Sequence, residues 1–307
     1  MPNQKNHLAG IGYGIATVLI WAAFPILTKI SVEQSLTPND ISLMRYGTAG
    51  LILLPFLWKK GFQGLPISAL FVLVCGAGLP YLLAVTYGLT LSSASHFGLV
   101  TPSSMLLCTA LGGWLIQKDP LPLNRLLGIV CVILGLGFVA IDGLVSEEAS
   151  LTGDLLFVLG GALWASYTLA LRQWSIEPLH ATALVSSLSM LLCVPLFYLA
   201  GDSNLSTAST QQIGIQVFYQ GVLSAILALV FYSRAVGILG PGKGSIFGAL
   251  VPGVAMLLAV IFLDESVSAY QLAGVGIIFI GVMVTLEFIN PLAMIKRLRR
   301  PPRTPSQ

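Results

Sequence analysis

Two cations, Lys29 and Arg45, stand in apolar stretches of the 307-residue sequence. Lys29 ends the run WAAFPILTK, and Arg45 lies several residues inside the next apolar segment. A cation in a membrane-spanning helix costs about 2.5 to 3.5 kcal/mol at the centre on insertion scales, and it often marks a substrate path. These charges favour a ligand that carries a carboxylate or another anionic group. Snorkelling to the headgroups is the alternative for both, and pairing with Asp40 or Glu33 is a third option for Arg45.

Aromatic residues occupy equivalent positions in two copies of one arrangement. Trp21 and Phe24 stand in WAAFPILTK, and Trp164 and Tyr167 stand in WASYTLALR, where a cation follows each Trp by eight positions. Aromatic walls suit flat or apolar groups and offer π faces to cations. Helix packing alone also selects aromatic residues. The recurrence of the Trp pair in both copies favours a role in ligand contact.

Four further residues add polar tips to apolar segments, namely Tyr81, Tyr87, His96 and Tyr232. A buried hydroxyl or imidazole needs a hydrogen-bonding partner. His96 titrates near neutral pH and suits a proton step, with an interfacial position near the outer end of its helix as the alternative. The candidate substrate-binding set is therefore Trp21, Phe24, Lys29, Arg45, Tyr81, Tyr87, His96, Trp164, Tyr167 and Tyr232.

Motifs of enzymes and metal sites are missing from the sequence. It contains no HExxH, no GxSxG, no paired membrane aspartates and no acid-rich metal cluster, so we expect neither an enzyme nor a cofactor or metal. No intramembrane carboxylate stands out beyond Asp142 and Glu287, which lie near helix ends. The four cysteines show no CxxC spacing and are expected to be inert thiols inside helices.

The composition indicates the elements that position these residues. The chain is 56% hydrophobic and 9% charged, which leaves too few polar groups to cover a water-soluble domain. Apolar segments of about 20 residues are long enough to cross the hydrocarbon as helices. We therefore predict an all-α integral membrane protein with ten transmembrane helices, at 8–30, 40–58, 67–90, 94–116, 124–142, 152–172, 179–200, 212–234, 244–263 and 268–289.

The distribution of cations predicts the orientation. With the N-terminus inside, the inner side collects 13 of the 15 Lys and Arg residues, and only Lys29 and Arg45 fall elsewhere. Both termini are therefore predicted to be cytoplasmic, and residues 290–307 are predicted to form a basic cytoplasmic tail. The bias and the compact length fit a multi-pass protein of a bacterial inner membrane.

The chain matches itself when one half is slid along the other. Gly10 to Trp21 and Gly153 to Trp164 have equal spacing, and the segment 98–128 aligns without a gap with 244–274. We therefore divide the chain into a first repeat, 8–142, and a second repeat, 152–289. Each holds five predicted helices, and this odd number inverts the second copy in the membrane. Inverted repeats are a signature of transporters, because two opposed halves can alternate access to a site near the midplane.

Small residues recur every fourth position in the second half, at Gly240, Gly244, Gly248 and Pro252. Such a stripe lets a neighbouring helix approach closely, and Pro252 frees a backbone carbonyl. Packing is one interpretation of Gly244, Gly248 and Pro252, and a hinge during alternating access is the other.

From Gly10 to Leu286 the sequence resembles the drug/metabolite transporter superfamily, in particular its ten-helix EamA branch. The resemblance is carried by Arg45, the Gly274 to Gly281 helix, and the segments WAAFPILTK, LSSASHFGLV and PGKGSIFGALVPGVAMLLAVIFLDE. It implies a helical basket around a central cavity and the movement of small organic solutes, often by exchange or proton coupling. The first half departs from the pattern, because Leu106 stands opposite Pro252 and its proline is Pro102.

Together these observations predict a secondary-active transporter for an amino acid or related carboxylated solute, with export expected. The alternatives are an exporter of drugs or organic cations, an importer of a larger aromatic metabolite, and, in a different class, a membrane-embedded enzyme or channel. The expected partners are a small-molecule substrate, the lipid bilayer and either protons or a counter-substrate, with no nucleic acid. The sequence does not define an oligomeric state.

Overall fold

The computed structural model describes residues 4–145 and 150–285, and this part of the chain is helical with short connections. Its elements are α1 Gln4–Gln34, α2 Pro38–Lys60, α3 Ile67–Ala77, α4 Leu79–Leu91, α5 Ala94–Leu115, α6 Leu123–Val145, α7 Leu151–Gln173, α8 Pro178–Ala200, α9 Thr210–Gln216, a π-helix Val217–Leu227, α10 Ala228–Leu239, α11 Pro241–Leu263 and α12 Ala269–Thr285. Glu287 and the predicted basic tail, 290–307, lie outside the described residues.

The prediction of an all-α membrane protein with ten spans is confirmed. Among the described residues, nine helical spans are long and apolar enough to cross a membrane, and Ala269–Thr285 is a shorter apolar helix. Many large apolar side chains, such as Ile133 and Leu134 on α6, point outward and are about half exposed, as lipid-facing residues are.

The third predicted span, 67–90, is broken rather than continuous. The α3 helix ends at Ala77 and α4 begins at Leu79, because Gly78 departs from helical geometry, with φ −98° and ψ −147°, and a proline follows in the first turn of α4. The freed backbone groups find partners: the Tyr46 hydroxyl donates to the Ala77 carbonyl at 2.8 Å, and the Leu79 N–H donates to Ser189 Oγ at 3.2 Å. Polar side chains thus allow a broken helix inside the membrane.

The eighth span contains a π-helix, which hydrophobic periodicity did not reveal. Thr210–Gln216, Val217–Leu227 and Ala228–Leu239 follow one another, and the middle segment is the wider π-helix. A π-helix is rare and often coincides with a functional site. In this chain it presents Gln220 and Ser224, both buried, to α2.

The bundle has two ends with different polar groups. At one end of the bundle, α1, α4 and α6 finish and α5, α7 and α12 begin. We call this the His96 end. The opposite end is called the Lys60 end. Equivalent helices of the two halves therefore run in opposite directions. The equivalent helices α6 and α12 also touch each other. A side chain at Gly135 would meet the Gly274 carbonyl at 2.9 Å, and one at Gly281 would meet the Gly128 carbonyl at 2.8 Å.

The predicted stripe of small residues is only partly a packing surface. Gly240 lies at the end of α10 with φ 85°, a conformation that favours glycine, so it ends one helix rather than continuing the next. A side chain at Gly244 would meet Val236 at 2.6 Å, whereas one at Gly248 would meet nothing within 4 Å. The expectation that a neighbouring helix approaches closely at Gly248 was therefore wrong. The Pro252 carbonyl faces Gly98 of α5.

Candidate functional site

Arg45 lies in α2, well inside the bundle, and its side chain is 8% exposed. The helix that carries it starts with a capping box, in which Thr37 and Asp40 each bind the other's backbone N–H. This cap fixes the start of α2 at the His96 end. Arg45 then faces α1 and the π-helix.

The guanidinium of Arg45 has neutral partners. Its Nη1 donates to Gln220 Oε1 at 3.1 Å and to Ser224 Oγ at 3.0 Å. The Gln220 amide is itself oriented by a hydrogen bond from its Nε2 to Thr28 Oγ1 at 3.0 Å. The ring of Phe24 lies against the charge, 5.6 Å from ring centroid to Cζ. Arg45 is thus held against two neighbouring segments, α1 and the π-helix, by neutral groups.

No carboxylate neutralises Arg45 among the described residues. None of the ion pairs found there includes it, and its Nε is buried without a hydrogen-bond acceptor. The option that Arg45 pairs with Asp40 or Glu33 was wrong, because Asp40 caps α2 and Glu33 lies 3.5 Å from Lys29 Nζ. A buried, fixed cation with a free donor suits an anionic group of a ligand.

The predicted aromatic residues fall into separate contacts. Phe24 stacks near Phe97 with ring centroids 5.4 Å apart, next to Arg45. Trp21 contacts Tyr232 at 5.4 Å between centroids.

The second Trp of the repeat belongs to another set. Trp164 contacts Tyr81 at 4.8 Å and Tyr167 at 5.6 Å between ring centroids. Tyr81 belongs to the same cluster of buried apolar residues as Phe24, the ring that lies against Arg45. Tyr87 does not join any of these groups, since it is 40% exposed on α4.

Lys29 lies at the His96 end and binds the backbone. Its Nζ donates to the carbonyls of Leu89 at 2.9 Å and Ser92 at 3.0 Å, where α4 finishes. It also lies on the wall of a cavity of about 420 Å³ that includes Glu33 and Glu265. The structure therefore separates Lys29 from Arg45, and only Arg45 has the surroundings of a buried binding group.

His96 lies near the end of its helix, in the first turn of α5, and it is fully buried there. Its Nδ1 lies 2.9 Å from the Asp154 carboxylate, and its Nε2 lies 2.9 Å from Asp142 Oδ2. Ser92 Oγ donates to Asp154 at 3.0 Å, and Gln271 Nε2 donates to Asp142 at 2.8 Å. We call these five residues the His96 cluster.

Sequence reasoning missed the acids of this cluster. Asp142 was set aside as a helix-end residue, and Asp154 was not considered because one acid in the first turn of a helix is common. The close packing of the acids is visible only in the structure, where a side chain at Gly143, next to Asp142, would meet Asp154 Oδ2 at 2.8 Å. Each ring nitrogen of His96 already faces a carboxylate. In the described part of the chain, no group of three or more His, Cys, Asp or Glu residues is arranged to hold a metal ion.

A larger cavity, of about 660 Å³, also opens at the His96 end. Hydroxyl and amide side chains from the end of α1 and the start of α9 dominate its wall, namely Ser31, Gln34, Ser35, Thr207, Ser209, Gln211, Gln212 and Gln216. The wall carries no charged residue. It therefore offers hydrogen bonds to a polar solute rather than an ion pair.

Comparison with known proteins assigns the whole chain to one family. The profile of the EamA-like transporter family matches residues 8–141 and again residues 151–287. An uncharacterized transporter of Archaeoglobus fulgidus is 25% identical over 295 residues, which cover 92% of this chain and 98% of that protein. The threonine/homoserine exporter RhtA of Escherichia coli K12 is 28% identical over 297 residues, 92% of this chain and 94% of that protein.

The fold also matches a solved structure. A crystal structure superimposes with a TM-score of 0.62 over 97% of this chain and 100% of the other, at 16% sequence identity. At this identity the match shows the fold alone. The repeated family match, the names of the relatives and the apolar helices identify the chain as a multi-pass membrane transporter rather than an enzyme, and the chain belongs to the EamA-like transporter family.

Proposed function

We propose that this transporter is a secondary-active carrier that exports a small carboxylated solute, an amino acid or a close relative, by alternating access. The observation that carries the proposal is Arg45, a buried guanidinium with neutral partners and an unused Nε donor. An isolated buried charge is costly, so an anionic ligand group would stabilise it. A related protein that bears the name threonine/homoserine exporter fits this chemistry.

The aromatic residues near Arg45 would contact the rest of the solute. Phe24 is adjacent to the charge, and Tyr81, which contacts Trp164, belongs to the same buried cluster as Phe24. Trp21 and Tyr232 would line the path toward the Lys60 end. A permanent organic cation is the less suitable substrate, because Arg45 would repel it and no carboxylate pairs with Arg45 among the described residues.

Orientation and coupling complete the proposal. We place both termini in the cytoplasm and the His96 end outside, in a bacterial inner membrane, on the distribution of Lys and Arg. Export against a gradient then requires coupling to protons or to a counter-substrate. Reporter fusions at the C-terminus, compared with fusions after Asp202, test the orientation.

The substrate class is tested by uptake into proteoliposomes. Threonine or homoserine is compared with the amine left after removal of its carboxyl group and with its amide. Transport of the carboxylated form should exceed that of both analogues. Arg45→Gln should lower transport of the amino acid about 10- to 100-fold, because a hydrogen bond to a charged group is worth about 1.5–3 kcal/mol.

Arg234→Gln is the matched control for this variant. Arg234 also lies over an aromatic ring, with Cζ 5.6 Å from the centroid of Tyr13, but it is exposed. It should keep full transport. Equal transport of the amino acid and its amine, or full activity of Arg45→Gln, would contradict the proposed substrate class.

A further inference from the structure

Three ionisable side chains on three helices meet at the His96 end with almost no access to water. His96 of α5 is 0% exposed, Asp142 of α6 is 1% exposed and Asp154 of α7 is 5% exposed. Each ring nitrogen of the imidazole lies 2.9 Å from a carboxylate on a different helix. Among the residues that the structure describes, the imidazole is therefore the only group that connects the two acids directly.

This geometry requires an additional proton. A hydrogen bond at each ring nitrogen needs a hydrogen atom, since a bare nitrogen lone pair repels a carboxylate. A neutral imidazole has one N–H, so it satisfies only one of the two contacts. The second hydrogen belongs on the imidazole rather than on an acid, because the ordinary pKa is about 6.5 for histidine and about 4 for aspartate. The observed cluster thus corresponds to an imidazolium between two carboxylates.

Loss of that proton would separate the groups. One ring nitrogen would then face a carboxylate with its lone pair, and two negative charges would share a buried site without a cation between them. Asp142 is the more vulnerable acid, because its Oδ1 is already buried without a donor. Its Oδ2 is bound by His96 and by Gln271.

The other charged groups at this end do not replace the proton. The turn before α12 contributes Asp264 and Glu265, and the Glu265 carboxylate accepts hydrogen bonds from two backbone N–H groups at the start of α5. From α1, Lys29 is held by two carbonyls and by Glu33. Ser92 and Gln271 are neutral at every pH. Acids thus outnumber cations around His96.

A route for the proton lies next to the cluster. Ser93, whose hydroxyl accepts the His96 backbone N–H at 3.2 Å, also lines the cavity of about 420 Å³ at this end. Ser92, the adjacent residue, binds Asp154. Water in this cavity would reach Ser93, which is adjacent in the chain to Ser92 and is bound to the His96 backbone.

We propose that the His96 cluster is a proton-binding site that holds the ends of α5, α6 and α7 together while it is protonated and lets them separate when the proton leaves. The proposal rests on the proposed function, because separation of helices at one end is how an alternating-access carrier exposes its substrate site. Proton release then favours opening of the His96 end. Between the lower pKa of the open cluster and the higher pKa of the closed cluster, the ratio of open to closed molecules should rise about tenfold per pH unit.

Cysteine labelling in lipid nanodiscs tests the opening without any substrate. Ser95 is 1% exposed beside the cluster, and its hydroxyl has no hydrogen-bond partner, so Ser95→Cys is a mild change. A membrane-impermeant maleimide reacts with the thiolate, so the labelling rate is divided by that of a free thiol at the same pH. This relative labelling should be slow at low pH and faster as the pH rises. The labelling of the parent protein, which has four cysteines of its own, is subtracted.

Two substitutions should remove the pH dependence in opposite ways. His96→Gln provides one donor and one acceptor, as neutral imidazole does, so labelling should be fast at every pH. Asp142→Asn provides an amide N–H to the bare ring nitrogen, so the cluster needs no extra proton and labelling should be slow at every pH. His180→Gln is the control, because His180 is also fully buried but lies at the Lys60 end. If the cluster were purely structural, both His96→Gln and Asp142→Asn would loosen the helix ends and speed up labelling. This result would overturn the proposal.

Nitrogen-15 NMR of labelled histidine measures the proton itself and stays informative if a cysteine variant fails to fold. The chain has three histidines. His96 should carry hydrogen on both ring nitrogens near neutral pH. His180 should carry one, on Nε2, since Nε2 faces the Gly61 carbonyl at 2.9 Å and Nδ1 has no partner. A neutral His96 ring at the pH of slow labelling would overturn the proposal. If His96 titrates and Ser95→Cys labelling depends on pH as expected but no solute is transported, the result would count against the proposed function and leave the proton-binding site standing.

Discussion

The two ends of the bundle handle charge in different ways. At the His96 end, His96, Asp142 and Asp154 are buried between helices. At the Lys60 end, the ion pairs Arg172–Asp119 and Lys60–Glu177 lie at the surface. Exposed pairs contribute little and are screened by salt, whereas a buried network is strongly coupled to packing. The two ends should therefore respond differently to mutation and to pH.

The difference is instructive because the two halves share one fold. The repeat pairs Asp119 with Glu265, yet Asp119 binds an arginine and Glu265 binds the backbone at the start of α5. When the repeat alignment is extended, the sequence counterparts of His96, Asp142 and Asp154 are Gly242, Phe288 and Ile11, none of which is ionisable. The two halves thus share a framework, but among the described residues these three positions form a buried acid–base cluster and their repeat counterparts do not.

The largest expected effect is on stability at the His96 end. Asp154→Leu leaves the His96 ring and the Ser92 hydroxyl without their acceptor, and breaking a buried pair in this way costs about 3–5 kcal/mol. Thermal unfolding in detergent should show a clear loss. Asp119→Leu, which breaks the exposed pair at the other end, should change the unfolding temperature little. Similar losses for the two variants would remove the contrast between the ends.

A smaller effect is expected from a single methyl group beside the cluster. Gly143→Ala places a carbon 2.8 Å from Asp154 Oδ2, and overpacking of this kind costs about 1–3 kcal/mol. The same change at Gly137, on the same helix, would meet nothing within 4 Å. Gly143→Ala should lower the unfolding temperature and raise maleimide labelling of Ser95→Cys, and Gly137→Ala should do neither. The contrast fails if both variants unfold as the wild type does.

The smallest effect concerns acid pH at the Lys60 end. The hydrogen bond from Arg172 holds the pKa of the Asp119 carboxyl below its ordinary value. The pair is therefore intact above the ordinary pKa and is lost as the pH falls through the lowered one. Acid should loosen the Lys60 end slightly, whereas alkali should open the His96 end. Hydrogen exchange of the 117–122 turn across the acid range measures this, and an increase with rising pH beyond the intrinsic rate would have the wrong sign.

Helix positions were predictable because lipid imposes a simple rule on apolar length. The predicted span 94–116 and the observed Ala94–Leu115 nearly coincide. The break at Gly78 was not predicted, although Gly78 and Pro80 were visible, because its stability depends on Tyr46 and Ser189 from distant helices. The π-helix leaves no distinct hydrophobic period.

The candidate site was predictable only where one residue type is unusual by itself. Arg45 stood out because a cation in an apolar segment is costly, but its neutral partners on the π-helix came from the fold. In the His96 cluster, Asp142 is 46 positions and Asp154 is 58 positions from His96 along the chain. No local pattern connects such residues, so two ordinary helix-end acids became a buried network only when α5, α6 and α7 were placed together.

Counterflow in proteoliposomes tests the central claim, that this protein is a carrier for a carboxylated solute. Vesicles are loaded with unlabelled threonine and diluted into a trace of labelled threonine, with homoserine tested in the same way. The account predicts that labelled solute transiently accumulates above its external concentration, saturates with dose, and fails to accumulate with Arg45→Gln. Flux that only equilibrates, without saturation and without acceleration by internal solute, would indicate a channel and contradict the account.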